Sequence, residues 1–281
     1  MTGRDVIRSV ERRLISAGIE NARWEAEVIV SSLAGVPSWK VYGGEIPTGQ
    51  VMPLLDEVVS RREMREPLQL ILGRWDFMGR EFLVREGVFI PRPETEILVE
   101  EALLLLSDTE RPHLSGLEVG VGTGVISVSL LAEIPGLTMR GIDVSEKALA
   151  LTEENARRHG VQGRLFLERR DARSVRGTFD FIVSNPPYVP EGEWENLMPE
   201  VRNHDPREAL VGGTDGLDVI RELLDRAADL LAPGGFLVFE FGDEQKDAVV
   251  SEVARREWLS LSHVRKDLSG KPRVAVVRKR T

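Results

Sequence analysis

Four residues, Asn185-Pro186-Pro187-Tyr188, hold the most specific chemistry in the chain. They follow Phe179-Asp180-Phe181-Ile182-Val183-Ser184, an apolar run that reads as a buried strand. A strand that ends this way places an amide side chain and a run of carbonyls at the edge of a sheet. Neither proline has an N–H, so the turn is stiff and rich in acceptors. Such a turn suits the grip of an –NH2 group by both of its hydrogens. A glycine-rich loop, Gly120-Val121-Gly122-Thr123-Gly124, lies upstream. Together the two segments predict transfer of a methyl group to a planar amino or amide nitrogen.

That nitrogen is a poor nucleophile, because its lone pair is delocalised. The task is to align it with the donor methyl and to favour the pyramidal geometry of the transition state. The Asn185 side-chain oxygen and the Pro186 carbonyl are the expected catalytic acceptors, dipoles aimed at developing positive charge. Tyr188 is expected to pack over the planar group, with Pro187 completing the substrate-binding turn. No strong base is needed, since the proton becomes acidic once nitrogen is alkylated.

The loop Glu118-Val119-Gly120-Val121-Gly122-Thr123-Gly124 follows an apolar strand and opens a helix. The dinucleotide fingerprint requires a small residue three past its second glycine, and Val125 stands there. The fit to NAD is therefore poor, and S-adenosylmethionine is the expected cofactor. Asp143 ends the next strand about 20 residues on, the spacing of an acid that binds ribose hydroxyls. Asp171 ends the strand after that and is expected to accept from the adenine amino group, with Ala172 beside it. The cofactor set is thus Gly120, Val121, Gly122, Thr123, Gly124, Asp143, Asp171, Ala172 and Asn185. No metal enters this chemistry.

With 281 residues the chain has room for two domains. Its 37 Lys and Arg against 46 Asp and Glu give a net charge of −9, which weighs against nucleic acid as the main partner. Arg61-Arg62, Arg157-Arg158 and Arg169-Arg170 read as solvated faces. The absence of cysteine excludes disulfides and thiolate chemistry on a pyrimidine carbon. Neither a secretory signal nor a membrane-length apolar stretch is legible, so the expected location is cytoplasmic.

The elements that must position these residues form an α/β chain. Helical spacing of Val6, Val10, Leu14 and Ile15, then of residues 22–34 and of about 51–65, predicts a small N-terminal helical bundle over residues 1–66. Residues 67–90, with interspersed glycines, read as a β-hairpin linker. Residues 91–281 alternate strand and helix, predicting a Rossmann-like, seven-stranded parallel sheet covered on both faces. Strands are expected at 116–119, 138–143, 164–168, 179–184, 235–241 and 273–278, and a weaker one at 259–266. Ligands should bind beyond the strands' carboxyl ends. Glu94 and Glu96 read as structural.

The order glycine loop, Asp, Asn-Pro-Pro-Tyr resembles S-adenosylmethionine methyltransferases that act on exocyclic or amide nitrogen. More specific segments are Pro67-Leu68-Gln69-Leu70-Ile71-Leu72-Gly73, Ile90-Pro91-Arg92-Pro93-Glu94-Thr95-Glu96, Asp205-Pro206-Arg207-Glu208-Ala209-Leu210, Gly212-Gly213-Thr214-Asp215-Gly216-Leu217 and Asp267-Leu268-Ser269-Gly270-Lys271-Pro272-Arg273-Val274. With them, essentially the whole chain resembles the PrmC (HemK) family. That resemblance implies N5-methylation of the glutamine in the Gly-Gly-Gln motif of class-one peptide chain release factors. It places the substrate glutamine against Asn185 to Tyr188. The family's loop usually begins with Asp and has Thr after the first glycine, where this chain has Glu118 and Val121. Ala172 stands where some relatives carry an aromatic residue, so the resemblance implies no adenine stacking there. Two other readings have a basis in the sequence: a nucleic-acid amino methyltransferase, and a binding module that keeps the fold without the activity.

Overall fold

The computed structural model describes residues 2–42, 48–107 and 113–280. The chain divides into two compact units, residues 1–73 with 198–204, and residues 74–197 with 205–281.

The first unit is helical: α1 (Gly3–Ser16), α2 (Ala22–Ala34), α3 (Ser38–Tyr42), α4 (Thr48–Glu63) and α5 (Leu68–Leu72). Thr2 caps α1, accepting from the Asp5 N–H while Asp5 accepts from Thr2. Val6, Val10 and Leu14 turn inward as their spacing requires, but Ile15 is exposed. Gly35 ends α2 in the left-handed conformation, φ 63°. Leu68–Leu72, expected in the hairpin region, is a helical turn instead, closed by Gly73 at φ 68°. The turn Pro199–Arg202 belongs here too, and Glu200 pairs with Arg62 and Arg65. No helix among the described residues is long and apolar enough to cross a membrane.

The second unit opens with a hairpin of β1 (Arg74–Phe77) and β2 (Arg80–Leu83). Its two-residue turn, Met78-Gly79, has φ of 51° and 69°, the positive pair that matches strand twist. Glu96 steadies it by accepting from the Met78 N–H at 2.7 Å. Then follow α6 (Thr95–Ser107), β3 (Leu114–Val119), α7 (Val125–Glu133), β4 (Leu137–Asp143), α8 (Glu146–Arg158), β5 (Leu165–Arg169), β6 (Phe179–Ser184), β7 (Leu231–Glu240), β8 (Leu259–Lys266) and β9 (Pro272–Lys279). Helices Asp218–Leu230 and Lys246–Ala254 flank β7 in sequence.

The seven strands order as β5-β4-β3-β6-β7-β9-β8. The expected all-parallel sheet is corrected at one strand, since β9 runs antiparallel to both of its neighbours. Only a tight turn, pinned by Asp267 accepting from the Ser269 and Lys271 N–H groups, joins it to β8. A parallel pairing would need a crossover a dozen residues long. Both faces are covered. Phe181, Val183 and Val238 pack with Leu98 and Leu131, while Ile182, Leu237 and Phe239 pack with Leu224 and Val249. Each such side chain contributes roughly 1.5–3 kcal/mol on burial, so the carboxyl ends of β3, β4 and β6 rest on a fixed platform.

Candidate active site

β3 pairs with β4 on one side and β6 on the other, and β5 pairs with β4, so the loops leaving all four converge. They enclose a cavity of about 300 Å3 lined by Gly120, Val121, Gly122, Thr123, Asp143, Asp171, Ala172, Asn185, Pro186 and Pro187. These ten expected site residues are therefore brought together. Gly124 and Tyr188 are not among the lining residues. Gly124 packs against α8, where an added Cβ would lie 2.8 Å from Thr152.

The glycine loop is held from outside. Gly120 and Val121 both donate to the Ile142 carbonyl, and Thr152 donates to the Gly122 carbonyl at 2.9 Å. Asn155 donates to the Thr123 carbonyl, and Thr123 Oγ1 to that of Phe89. Asp143 accepts from the Gly122 N–H at 3.0 Å and the Ser145 N–H at 2.9 Å, one bond to each carboxylate oxygen. Each oxygen keeps a second lone pair, as a ribose diol would require. The Val121 side chain, one of the two departures in the loop, is buried against Gly141.

The other departure, Glu118, also lines the cavity and is fully buried. Its Oε2 accepts from the Ser127 N–H and hydroxyl, whereas Oε1 has no partner among the described residues. A lone buried acceptor beside the loop fits the ammonium of the cofactor's amino-acid tail. Burial pushes its carboxyl up to about 8 from an ordinary 4.5. Between those values the folded chain holds a proton that the unfolded chain has released. This part of the stability is full below about pH 4.5 and is lost as pH rises to about 8. Glu118→Gln is therefore expected to lose less stability than the parent between pH 5 and 8. Denaturant midpoints across that range test it, and parallel curves would refute it.

The Asn-Pro-Pro-Tyr turn is clamped by residues far away in sequence. Asn185 Nδ2 donates to Thr95 Oγ1 at 3.0 Å, and Thr95 Oγ1 donates to Glu240 Oε2 at 2.7 Å. Tyr188 donates to Glu240 Oε1 at 3.0 Å, and burial raises its hydroxyl well above the usual phenol range. Gly216 lies so close that an added Cβ would sit 2.1 Å from the Tyr188 carbonyl oxygen. Asp205 accepts from the Ile90 N–H and from Arg92, fixing the segment that carries Pro91 to the cavity. Sequence reasoning missed Thr95, Asn155 and Glu240. A carboxylate inside the apolar run Leu237-Val238-Phe239-Glu240-Phe241 was the available signal.

The PrmC N-terminal domain model matches residues 5–73, and the methyltransferase small domain model matches residues 83–203. A release factor glutamine methyltransferase of Geobacter sulfurreducens is 40% identical over 262 residues, covering 90% of this chain and 89% of that one. The chain belongs to the release factor glutamine methyltransferase family. A Streptomyces coelicolor member is 38% identical over 281 residues, covering 97% of this chain and 96% of its own. Among solved structures, a Pyrococcus furiosus methyltransferase aligns with TM-score 0.52 at 16% identity, over 83% of this chain and 98% of that one, and shares the fold. Members of this methyltransferase family use S-adenosylmethionine, for which the glycine loop, Asp143 and the free oxygen of Glu118 are suited.

Proposed function

We propose that the chain methylates the side-chain amide nitrogen, N5, of the glutamine in the Gly-Gly-Gln motif of class-one peptide chain release factors, in the cytoplasm. The observation that carries this reading is the committed orientation of Asn185. Its Nδ2 is engaged by Thr95, which leaves Oδ1 as the end available to a substrate in the cavity it lines. No described N–H donates to the Pro186 carbonyl either. Two acceptors on one rigid turn match the two hydrogens of a primary amide.

When bound, S-adenosylmethionine supplies an electrophilic methyl on a positively charged sulfur. Asn185 Oδ1 and the Pro186 carbonyl hold both N–H bonds of the glutamine amide, turning its lone pair toward that methyl. As the N–C bond forms and the methyl–sulfur bond breaks, its electron pair staying on the sulfur of the departing S-adenosylhomocysteine, the two acceptors stabilise the positive charge gained by nitrogen until its proton is lost to solvent. The proton to be lost already points at one of them. Pro187 walls the amide, and Tyr188, anchored on Glu240, fixes the far end of the turn. The loop from Gly120 to Gly124, with Asp143, Asp171 and Ala172, holds the cofactor.

Residues 1–66 serve in this reading as the recognition domain, 67–90 as a linker, and 91–281 as the methyltransferase domain. The helical unit exposes Trp24, Trp39 and Met64, which are 51%, 70% and 72% accessible. Exposed tryptophans are frequent anchors of protein interfaces. Changing Trp24 and Trp39 together to alanine is expected to raise KM for a full-length release factor about tenfold, while cofactor affinity stays unchanged. Unaltered steady-state kinetics would remove those side chains from recognition. The whole reading is tested by incubating a purified release factor with the protein and S-adenosylmethionine.

A further inference from the structure

We propose that Glu240 acts through Thr95 as a positioning residue for methyl transfer, by fixing which end of the Asn185 amide faces the substrate. This rests on the reading that Asn185 Oδ1 grips a substrate N–H. A half-turn of the Asn185 amide would exchange its oxygen for an NH2 of nearly the same shape. The exchanged group would set donors against the substrate's own donors and abolish the grip. Something must therefore choose between two arrangements of equal size.

The chain Asn185, Thr95, Glu240, Tyr188 makes that choice by hydrogen count. Thr95 and Glu240 are 2% and 1% exposed, so water does not compete. An ionised carboxylate can only accept. Glu240 takes one hydrogen from Thr95 on Oε2 and one from Tyr188 on Oε1. Thr95 has a single hydroxyl hydrogen, and it is committed to Glu240. Its oxygen can then only accept, so the Asn185 NH2 must face it and Oδ1 must face the cavity. A protonated Glu240 reverses the logic. Its own O–H can point to Thr95 Oγ1, the Thr95 hydrogen can swing to Asn185, and the amide is free to turn.

The groups around Glu240 bear on its charge. Thr95 and Tyr188 favour the ionised form by hydrogen bonding, Arg273 on β9 favours it by charge, and Glu94, just before α6, opposes it. Arg273 is itself paired with Asp267 and Asp243, and Arg92 acts on Tyr188. Burial outweighs the rest and pushes the carboxyl up to about 7. The relay therefore has its working polarity above that pH and loses it below.

The test uses Thr95→Val, which keeps the shape without the hydroxyl, Glu240→Gln, and Thr95→Ser as the conservative rescue. Single-turnover methylation of a release factor at saturating S-adenosylmethionine is expected to slow by about tenfold or more in the first two. S-adenosylhomocysteine affinity and release-factor KM should hold within about twofold of the parent, and Thr95→Ser should recover most of the rate. The parent rate should rise through pH 7, and the Glu240→Gln rate should not. The Asn185 side-chain amide resonances give a second readout that needs no substrate. They should titrate near pH 7 in the parent and stay fixed in Glu240→Gln. Full activity in Thr95→Val, or amide resonances that ignore pH, would overturn the relay. A parent enzyme that leaves the release factor unmethylated would instead overturn the substrate reading, while the resonances still decide the relay.

Discussion

Replacing Asn185 by alanine is expected to slow methyl transfer by about 100-fold or more, the scale seen when one preorganised charge-stabilising group is removed. The Pro186 carbonyl stays in place, because no side-chain substitution deletes a backbone acceptor, so some activity should survive. The truncated residue leaves Thr95 Oγ1 without its donor, but β6 and its neighbours are held by packing far from that bond. Asp143 keeps its backbone bonds, so cofactor affinity should change little. Single-turnover rates beside calorimetric binding of S-adenosylhomocysteine separate the two effects. A near-normal rate would take Asn185 out of the mechanism.

The second large effect falls at the end of β4, on the other side of β3 from Asn185. In the proposed reading Asp143→Ala removes the carboxylate that accepts both ribose hydroxyls, and hydrogen bonds to charged groups contribute about 1.5–3 kcal/mol each. Losing two of the weaker kind weakens cofactor binding by about 100-fold, at roughly 1.4 kcal/mol per decade. It also frees the Gly122 and Ser145 N–H groups that Asp143 now holds, loosening the loop itself. At saturating S-adenosylmethionine the transfer rate should recover to within a few fold of the parent. Binding unchanged within about threefold would mean that the cofactor's ribose lies elsewhere.

The places of these two residues in the fold were legible in the sequence, because Asp143 ends one unmistakable strand and Asn185 follows another. β6 runs from Phe179 to Ser184, as its apolar pattern indicates, and α2 from Ala22 to Ala34. Period and turn chemistry are local, so a linear reading captures them. The direction of β9 was less legible, since an apolar run is equally apolar in either direction and only the short connection from β8 decides it. The helical turn Leu68–Leu72 was hidden because its leucines suit a short strand as well as a helix.

The relay was the least legible part. Thr95 and Glu240 are 145 residues apart, and Asn185 and Thr95 are 90 apart. Nothing local to Thr95 separates it from an ordinary residue of a first helical turn. Tyr188 shows the same limit. Its place after Pro187 suggests a ring over the substrate, whereas its hydroxyl turns to Glu240, a carboxylate that only the folded sheet brings within reach. The pairing of Glu200 with Arg62 and Arg65 likewise joins the 198–204 segment to the end of α4 and the turn after it, more than a hundred residues earlier.

The most direct measurement is mass spectrometry of a purified class-one release factor after incubation with this protein and S-adenosylmethionine. One added methyl is expected, located by fragmentation on the glutamine of the Gly-Gly-Gln motif. An unmodified glutamine there, with S-adenosylhomocysteine binding confirmed in the same preparation, would contradict it.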